Sequence, residues 1–126
     1  MALTNAGRDQ IAADLIGEAV TDFDSANAHV GVGDSTVAFA ATQTDLQAAS
    51  NKLRKPMDAT FPSRAVNALT FQSTFGTADA NFTWNEWGVF NALAAGVMLN
   101  RKVEVLGTKT SAQTWQINVT LTVTAV

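Results

Sequence analysis

Cysteine and tyrosine are absent from the sequence, and there is one histidine, His29. Without cysteine the chain cannot form a disulfide framework or a thiolate zinc site, so its stability must come from the packed core. No apolar run approaches the roughly 20 residues that cross a bilayer. Residues 1–5 also lack the basic and apolar regions of a signal peptide. We therefore expect no membrane partner and no exported, disulfide-stabilised fold.

Charge is also scarce. The charged fraction is 15%, whereas roughly 25% is typical of soluble domains. The net charge of -3 gives no support for nucleic-acid binding, which needs a basic surface. Ala, Thr and Asn instead supply 22, 16 and 9 of the 126 residues. A weakly charged surface of short side chains is unusual for a free monomer, so we interpret it as a surface for protein contacts.

The apolar content is sufficient for one core. Leu, Ile, Val and Phe contribute 31 of 126 residues, which is above the floor of about 20% below which chains tend to be disordered. We predict a single domain over residues 1–126. Thr4 as a cap, with Ile11 and Leu15 on one face, predicts a helix that begins at Thr4 and ends between residues 16 and 20. Residues 44–47 could begin a second short helix.

Strands dominate the rest of the chain. The clearest is the last, where apolar residues from Trp115 to Val123 alternate with polar residues from Gln116 to Thr124. Further strands are predicted near residues 28–33, 68–75, 82–90 and 97–106. The predicted fold is α+β: one amino-terminal helix followed by a mainly antiparallel β-sheet or a small β-sandwich.

Catalytic and metal-binding patterns are weak. His29, Asp34 and Ser35 can be written as a triad, but no nucleophile-elbow motif supports it. Residues 22–27 begin like a calcium loop, yet Ala26 stands where the third oxygen ligand belongs. Residues 31–33 lack the third glycine and the βαβ setting of a phosphate loop, so we interpret them as a tight strand-to-turn transition. We assign no catalytic residue, no metal site and no cofactor.

Glu86 lies among the aromatic residues of segment 82–90. A lone carboxylate there could serve as a general acid, but it has no second carboxylate, which glycosidic chemistry requires. We prefer to interpret it as an anchor that pairs with Arg101 or Lys102 on a neighbouring strand. Strict alternation puts Phe82, Trp84 and Phe90 in the core and leaves Trp87 on the opposite side. Trp87 is therefore a candidate interface residue.

The charges are segregated along the chain. Residues 1–48 carry seven acidic residues and a single base, Arg8, and four bases follow within residues 52–64. The bases are either a solvated loop or a segment that meets the acidic part of a neighbouring copy. Together with the polar face of the last strand, they complete our interface candidates: Lys52, Arg54, Lys55, Arg64, Thr120 and Thr122.

Several short motifs occur in a familiar order. They are Leu3-Thr4-Asn5-Ala6-Gly7, Gly31-Val32-Gly33-Asp34, Thr44-Asp45-Leu46, Trp84-x-Glu86-x-Gly88-Val89-Phe90, Gly96-Val97-Met98-Leu99, and Lys109 before a Thr-rich strand. This order resembles small virion structural proteins of tailed bacteriophages, notably those encoded among head and tail genes of actinobacterial phages. It is similar, more distantly, to the amino-terminal domain of tail-collar fibre proteins.

The resemblance implies a non-enzymatic, oligomeric assembly protein located in the virion and assembled in the bacterial cytoplasm. In fibre proteins a long shaft follows this domain, whereas this chain stops at Val126. We therefore expect a capsid decoration or minor capsid protein, a homotrimer seated on the major capsid protein. The alternatives are a tail or neck adaptor, or a host-surface binding module in which Trp87 and residues 22–24 contact carbohydrate. A cell-wall hydrolase would depend on Glu86 alone.

Overall fold

The structure, a computed structural model, describes residues 2–125, which form one helix and eight strands. In chain order these are β1 (Ala2–Leu3), α1 (Asn5–Leu15), β2 (His29–Gly33), β3 (Lys52–Pro56), β4 (Ser63–Ala65), β5 (Ala68–Phe75), β6 (Thr83–Phe90), β7 (Met98–Thr108) and β8 (Trp115–Thr122).

The strands form two antiparallel sheets. The five-stranded sheet has the order β1-β7-β6-β2-β3, and the three-stranded sheet has the order β4-β5-β8. Val30 and Val89 of the larger sheet share one buried cluster with Phe71 and Val119 of the smaller sheet. The core therefore lies between the two sheets, and the prediction of an α+β fold with a small antiparallel sandwich is confirmed.

Helix α1 begins as predicted but packs differently. The Thr4 side chain caps it by accepting a hydrogen bond from the Gly7 amide at 2.9 Å. The predicted apolar face is wrong, because Leu15 is 85% exposed and Ile11 is also exposed. Gly7 is buried instead. A side chain at Gly7 would overlap the Leu99 backbone, so the helix meets β7 through its own backbone and ends one residue before the predicted range.

The second short helix expected at residues 44–47 is absent, and residues 34–51 form an irregular segment. Here the amides of Gln47 and Ala48 donate to the Glu86 side chain rather than to helical carbonyls. Strands β3 and β4, which follow this segment, were not predicted. Both are short, and neither shows a long alternating pattern.

Trp87 lies in the core, so its predicted exposure is wrong. A register irregularity in the β6–β7 pair lies between Trp84 and Glu86, and it shifts the alternation by one residue. Trp84 and Trp87 consequently both join the inner cluster, and Trp87 is 8% exposed. Its indole Nε1 donates to Glu104 Oε2 at 3.1 Å. Phe90, expected beside Trp84, instead packs in a separate cluster on the outer face of the sheet.

Candidate functional site

Glu86 and Arg101 form a buried ion pair on the outer face of the five-stranded sheet. Arg101 Nε donates to Glu86 Oε1 at 2.9 Å, and both side chains are 0% exposed. Gly33 lies opposite Glu86 in the β2–β6 register, where a Cβ would be 2.8 Å from Glu86 Oε2. Glycine in β2 therefore makes room for the carboxylate. Residues 31–33 form the end of β2, so the strand predicted near residues 28–33 is confirmed.

The ion pair holds the irregular segment 34–51 against the sheet. Glu86 accepts hydrogen bonds from the amides of Gln47 at 2.7 Å, Ala48 at 2.9 Å and Ser35 at 3.1 Å. Arg101 Nη2 donates to the Val37 carbonyl at 2.9 Å. We call this set of groups the Glu86 centre. The interpretation of Glu86 as an anchor paired with Arg101 is confirmed, whereas Lys102 pairs with Glu104 at 3.5 Å.

Arg54, a predicted interface residue, is built into the packing. Its guanidinium lies 3.6 Å from the centroid of the Phe90 ring. Nη1 donates to the carbonyls of Ala92 and Ala95, both at 2.9 Å, and Nη2 contacts Asp45 Oδ1 at 3.1 Å. The Arg54 side chain is 9% exposed, so most of its surface is already used within the chain.

Lys52 and Lys55 also have partners within the chain. Lys52 Nζ lies 2.9 Å from Asp45, and Lys55 Nζ lies 3.1 Å from Asp79. Burial alone would raise the pKa of Asp45, but hydrogen bonds from Lys52 and Arg54 outweigh it and lower that pKa. The hydrogen bond from Lys55 lowers the pKa of Asp79. Three of the four bases within residues 52–64 are therefore paired internally.

Arg64, Thr120 and Thr122 remain exposed, and all three belong to the three-stranded sheet. Arg64 lies on the short strand β4 and donates to the Val66 carbonyl at 2.8 Å. Thr120 and Thr122 lie on β8, at the other side of the sheet. The structure thus groups the exposed interface candidates on one sheet and separates them from Lys52, Arg54 and Lys55.

Strand β8 has one strand neighbour among the described residues, β5. Just beyond the strand, the Val123 amide donates to the Asn67 carbonyl at 2.9 Å, in line with the β5–β8 register. Backbone groups alternate in direction along an antiparallel strand. The odd-numbered residues of β8 therefore bond to β5, and the even-numbered ones direct their amides and carbonyls away from it. We call these outward groups the β8 edge: Gln116, Asn118, Thr120 and Thr122.

An open apolar cleft lies beside the β8 edge. Its volume is about 400 Å³, and its apolar lining comprises Trp84, Leu106, Trp115 and Ile117. Trp84 and Trp115 pack edge to face with ring centroids 5.0 Å apart, which fixes the floor of the cleft. Sequence reasoning found the polar face of this strand but missed its open edge. The sequence did hold one indication of this open edge: no charged residue follows Lys109, so no charge protects the last strand from pairing.

A second cavity, of about 350 Å³, lies between α1 and the two sheets. Ile11 and Phe71 contribute to its apolar lining, and Asp14, Asp22 and Asp24 contribute carboxylates. In the calcium-like loop, Asp24 Oδ1 already accepts from the Asn27 amide at 3.0 Å. Within residues 2–125, no three His, Asp or Glu side chains lie together as possible ligands of a metal ion.

The three residues of the possible triad are not brought together. His29 begins β2, and Asp34 and Ser35 follow the end of that strand. Five residues of extended chain separate His29 from Asp34 by about 16 Å, because a strand rises roughly 3.3 Å per residue. The His29 Nδ1 atom instead lies 2.8 Å from the Asn27 carbonyl.

Comparison with known proteins gives no family assignment: no protein-family model matches the chain, and no curated protein matches it. Within residues 2–125, the structure contains no helix that is both long enough and apolar enough to cross a membrane.

Proposed function

We propose that the chain is a structural protein of a tailed-bacteriophage particle, a capsid decoration or minor capsid protein that bridges neighbouring subunits of the head. Its partners are the major capsid protein and copies of itself. The observation that carries the proposal is the β8 edge, which belongs to an uncharged strand of eight residues beside an open apolar cleft. An unprotected edge of this kind is a template for pairing with another chain.

The use of charge inside the chain supports the same proposal. Both oxygens of Glu86 accept hydrogen bonds, and the side chain is 0% exposed. A glycan could not reach this carboxylate without opening segment 34–51, so the main support for a cell-wall hydrolase is lost. Asp45 and Asp79 likewise neutralise cations of the same chain. These pairs neutralise charge within the chain, which leaves a weakly charged surface for contacts.

A tail or neck adaptor, or a host-surface binding module, is the second candidate. The cavity between α1 and the sheets favours it, because its lining combines apolar residues with the carboxylates of Asp22 and Asp24. The burial of Trp87 removes the aromatic contact that we expected for carbohydrate. This candidate therefore depends on the cavity and the loop of residues 22–24.

Counting copies in purified phage particles tests the proposal. Quantitative mass spectrometry against the major capsid protein should give on the order of hundreds of copies, because a decoration protein follows the symmetry of the head. A count of about three to twelve would support the tail or neck adaptor instead, since those structures have low-order rings. Absence of the chain from purified particles would contradict both.

A further inference from the structure

The other strand edges of the sandwich are blunted. In the three-stranded sheet, the edge strand opposite β8 is β4, which has only three residues. In the five-stranded sheet, β3 carries three bases and ends at Pro56, and β1 has two residues. The part of β7 that extends beyond β1 includes Lys102, Glu104 and Gly107, the last with a φ of 112°. Short length, charge, proline and backbone irregularity are the devices that prevent edge-to-edge pairing.

Strand β8 lacks these devices. It has eight residues, no charge and no proline, and its pairing with β5 runs in continuous register from Trp115 to Thr122. A strand that adds to this edge needs a matching unprotected edge of its own. Among the described strands of this chain, β8 is the one that offers it. The best partner for β8 is therefore β8 of a second copy.

The sequence of β8 is self-complementary about Asn118. In an antiparallel pair centred there, Asn118 faces Asn118 of the second copy, and Gln116 faces Thr120. Asn118, Gln116 and Thr120 are residues whose backbone groups point outward, so the facing amides and carbonyls can bond directly. Uncharged polar side chains then lie opposite one another on the outer face, so the pair places no like charges opposite each other.

The same register brings apolar residues together on the inner face. Ile117 lies opposite Val119 of the second copy, and Trp115 lies opposite Leu121. Trp115 and Ile117 line the open cleft beside the β8 edge. The inner row of the second strand therefore covers the cleft, and burial of this apolar surface adds to the backbone hydrogen bonds.

We propose that two copies of the chain pair through β8 in an antiparallel six-stranded sheet, with a two-fold axis at Asn118. This inference rests on the proposed role in assembly and names the first contact that the chain makes. A two-fold pair closes on itself, so it replaces, as the unit that forms in solution, the homotrimer that the resemblance implied.

The test exploits the two-fold axis. Asn118→Lys and Asn118→Asp each place two like charges opposite one another, and each variant alone should sediment at the 13.3 kDa mass of one chain. An equimolar mixture of the two variants puts opposite charges at the axis and should restore a species of twice that mass. The wild type should sediment at twice the mass, and each single variant should raise the dissociation constant at least about tenfold.

Two controls separate edge pairing from other contacts. Gln72 lies opposite Asn118 on the central strand β5 and donates to Asn118 Oδ1 at 2.7 Å. Gln72→Lys therefore removes the same side-chain contact and adds the same charge one strand away from the edge, and it should leave the pair intact. Thr120→Pro removes one outward amide without touching a bond to β5, since proline is tolerated on the free side of an edge strand. This variant should still show a cooperative thermal unfolding transition, and it should sediment at the mass of one chain.

The inference is overturned by a wild type that stays at the mass of one chain at every soluble concentration, by a trimer, or by a mixture of the Asn118 variants that does not pair. None of these results bears on the number of copies per phage particle, because that number depends on the contact between this chain and the capsid shell. Conversely, a two-fold pair in solution with no copies in the particle would contradict the proposed function and preserve the pairing.

Discussion

At the scale of single residues, the Glu86 centre is a point where one substitution removes several contacts of the fold. Glu86→Gln leaves the buried Arg101 guanidinium without its countercharge and places an amide where three backbone amides need acceptors. Breaking a buried pair from one side costs roughly 3–5 kcal/mol. We expect the free energy of unfolding in urea to fall by about 3 kcal/mol, at the low end because glutamine keeps one acceptor oxygen.

The matched control is Glu18→Gln, which makes the same chemical change at an exposed position beyond α1. Its effect should lie within about 0.5 kcal/mol of the wild type. Equal stabilities of the Glu86 and Glu18 variants would show that segment 34–51 does not depend on the ion pair.

The Lys55–Asp79 pair predicts a pH dependence. The hydrogen bond from Lys55 lowers the pKa of Asp79 in the folded state below its ordinary value of 3.8. A lowered pKa stabilises the fold above that value, and the stabilisation is lost as the pH falls through the folded pKa. Asp79→Asn should therefore be less stable than the wild type near neutral pH, and the difference should shrink as the pH falls below 3.8. A difference that stays constant with pH would contradict this assignment.

Trp87 shows why single residues were harder to predict than strands. Alternation assigns each side chain of segment 82–90 to a face, but it assumes an unbroken register. The irregularity between Trp84 and Glu86 reverses the faces that follow, and the sequence carries no separate signal for it. The anchor role of Glu86 could be predicted, because an isolated carboxylate among aromatic residues requires a nearby cation when it is buried.

At the scale of elements, replacing a glycine of helix α1 by alanine should lower the stability of the protein, which is the opposite of the usual effect. Gly→Ala within a helix normally stabilises it by roughly 1 kcal/mol. At Gly7, however, the added Cβ would lie 2.9 Å from the Leu99 Cα and closer still to its carbonyl oxygen. We expect Gly7→Ala to destabilise the protein by about 1–3 kcal/mol. The new Cβ would meet backbone atoms of Leu99, and these cannot move aside as a flexible side chain would.

Gly76→Ala serves as the comparison in the same unfolding assay. A Cβ there meets Asp79 Oδ2 at 3.5 Å, which is ordinary van der Waals contact. This change should stay within about 0.5 kcal/mol of the wild type. A Gly7 variant that is more stable than the wild type would show that α1 does not rest on the β7 backbone.

Elements with a long, regular pattern were predictable from the sequence. In β8 the odd-numbered residues are less exposed than the even-numbered ones, and β5 buries Phe71, Ser73 and Phe75, so a side-chain period of two is visible in both strands. Segment 34–51 was not predictable, because its backbone is satisfied by the side chains of Glu86 and Arg101, which are distant in sequence. The face of α1 was predicted wrongly, because the helix contacts β7 through Gly7, whereas Ile11 and Leu15 lie at exposed positions.

At the scale of the whole molecule, low charge has two separate origins. Part of the charge is neutralised by ion pairs within the chain, in which Asp45, Asp79 and Glu86 pair with Lys or Arg side chains. The other part is absent from the outset, because no charged residue follows Lys109. Among the described strands, β8 is the long edge strand that lacks protection, and it lies in this uncharged region, which links the composition to assembly.

Amide hydrogen exchange along β8 tests the central claim, that this edge is the contact between copies. Val119 bonds to β5 in every state, so its amide is an internal reference. At concentrations where the pair forms, the amides of Asn118 and Thr120 should exchange at least about tenfold more slowly than in dilute protein. Fast exchange at Asn118 and Thr120 beside a protected Val119, unchanged at every concentration, would contradict the claim.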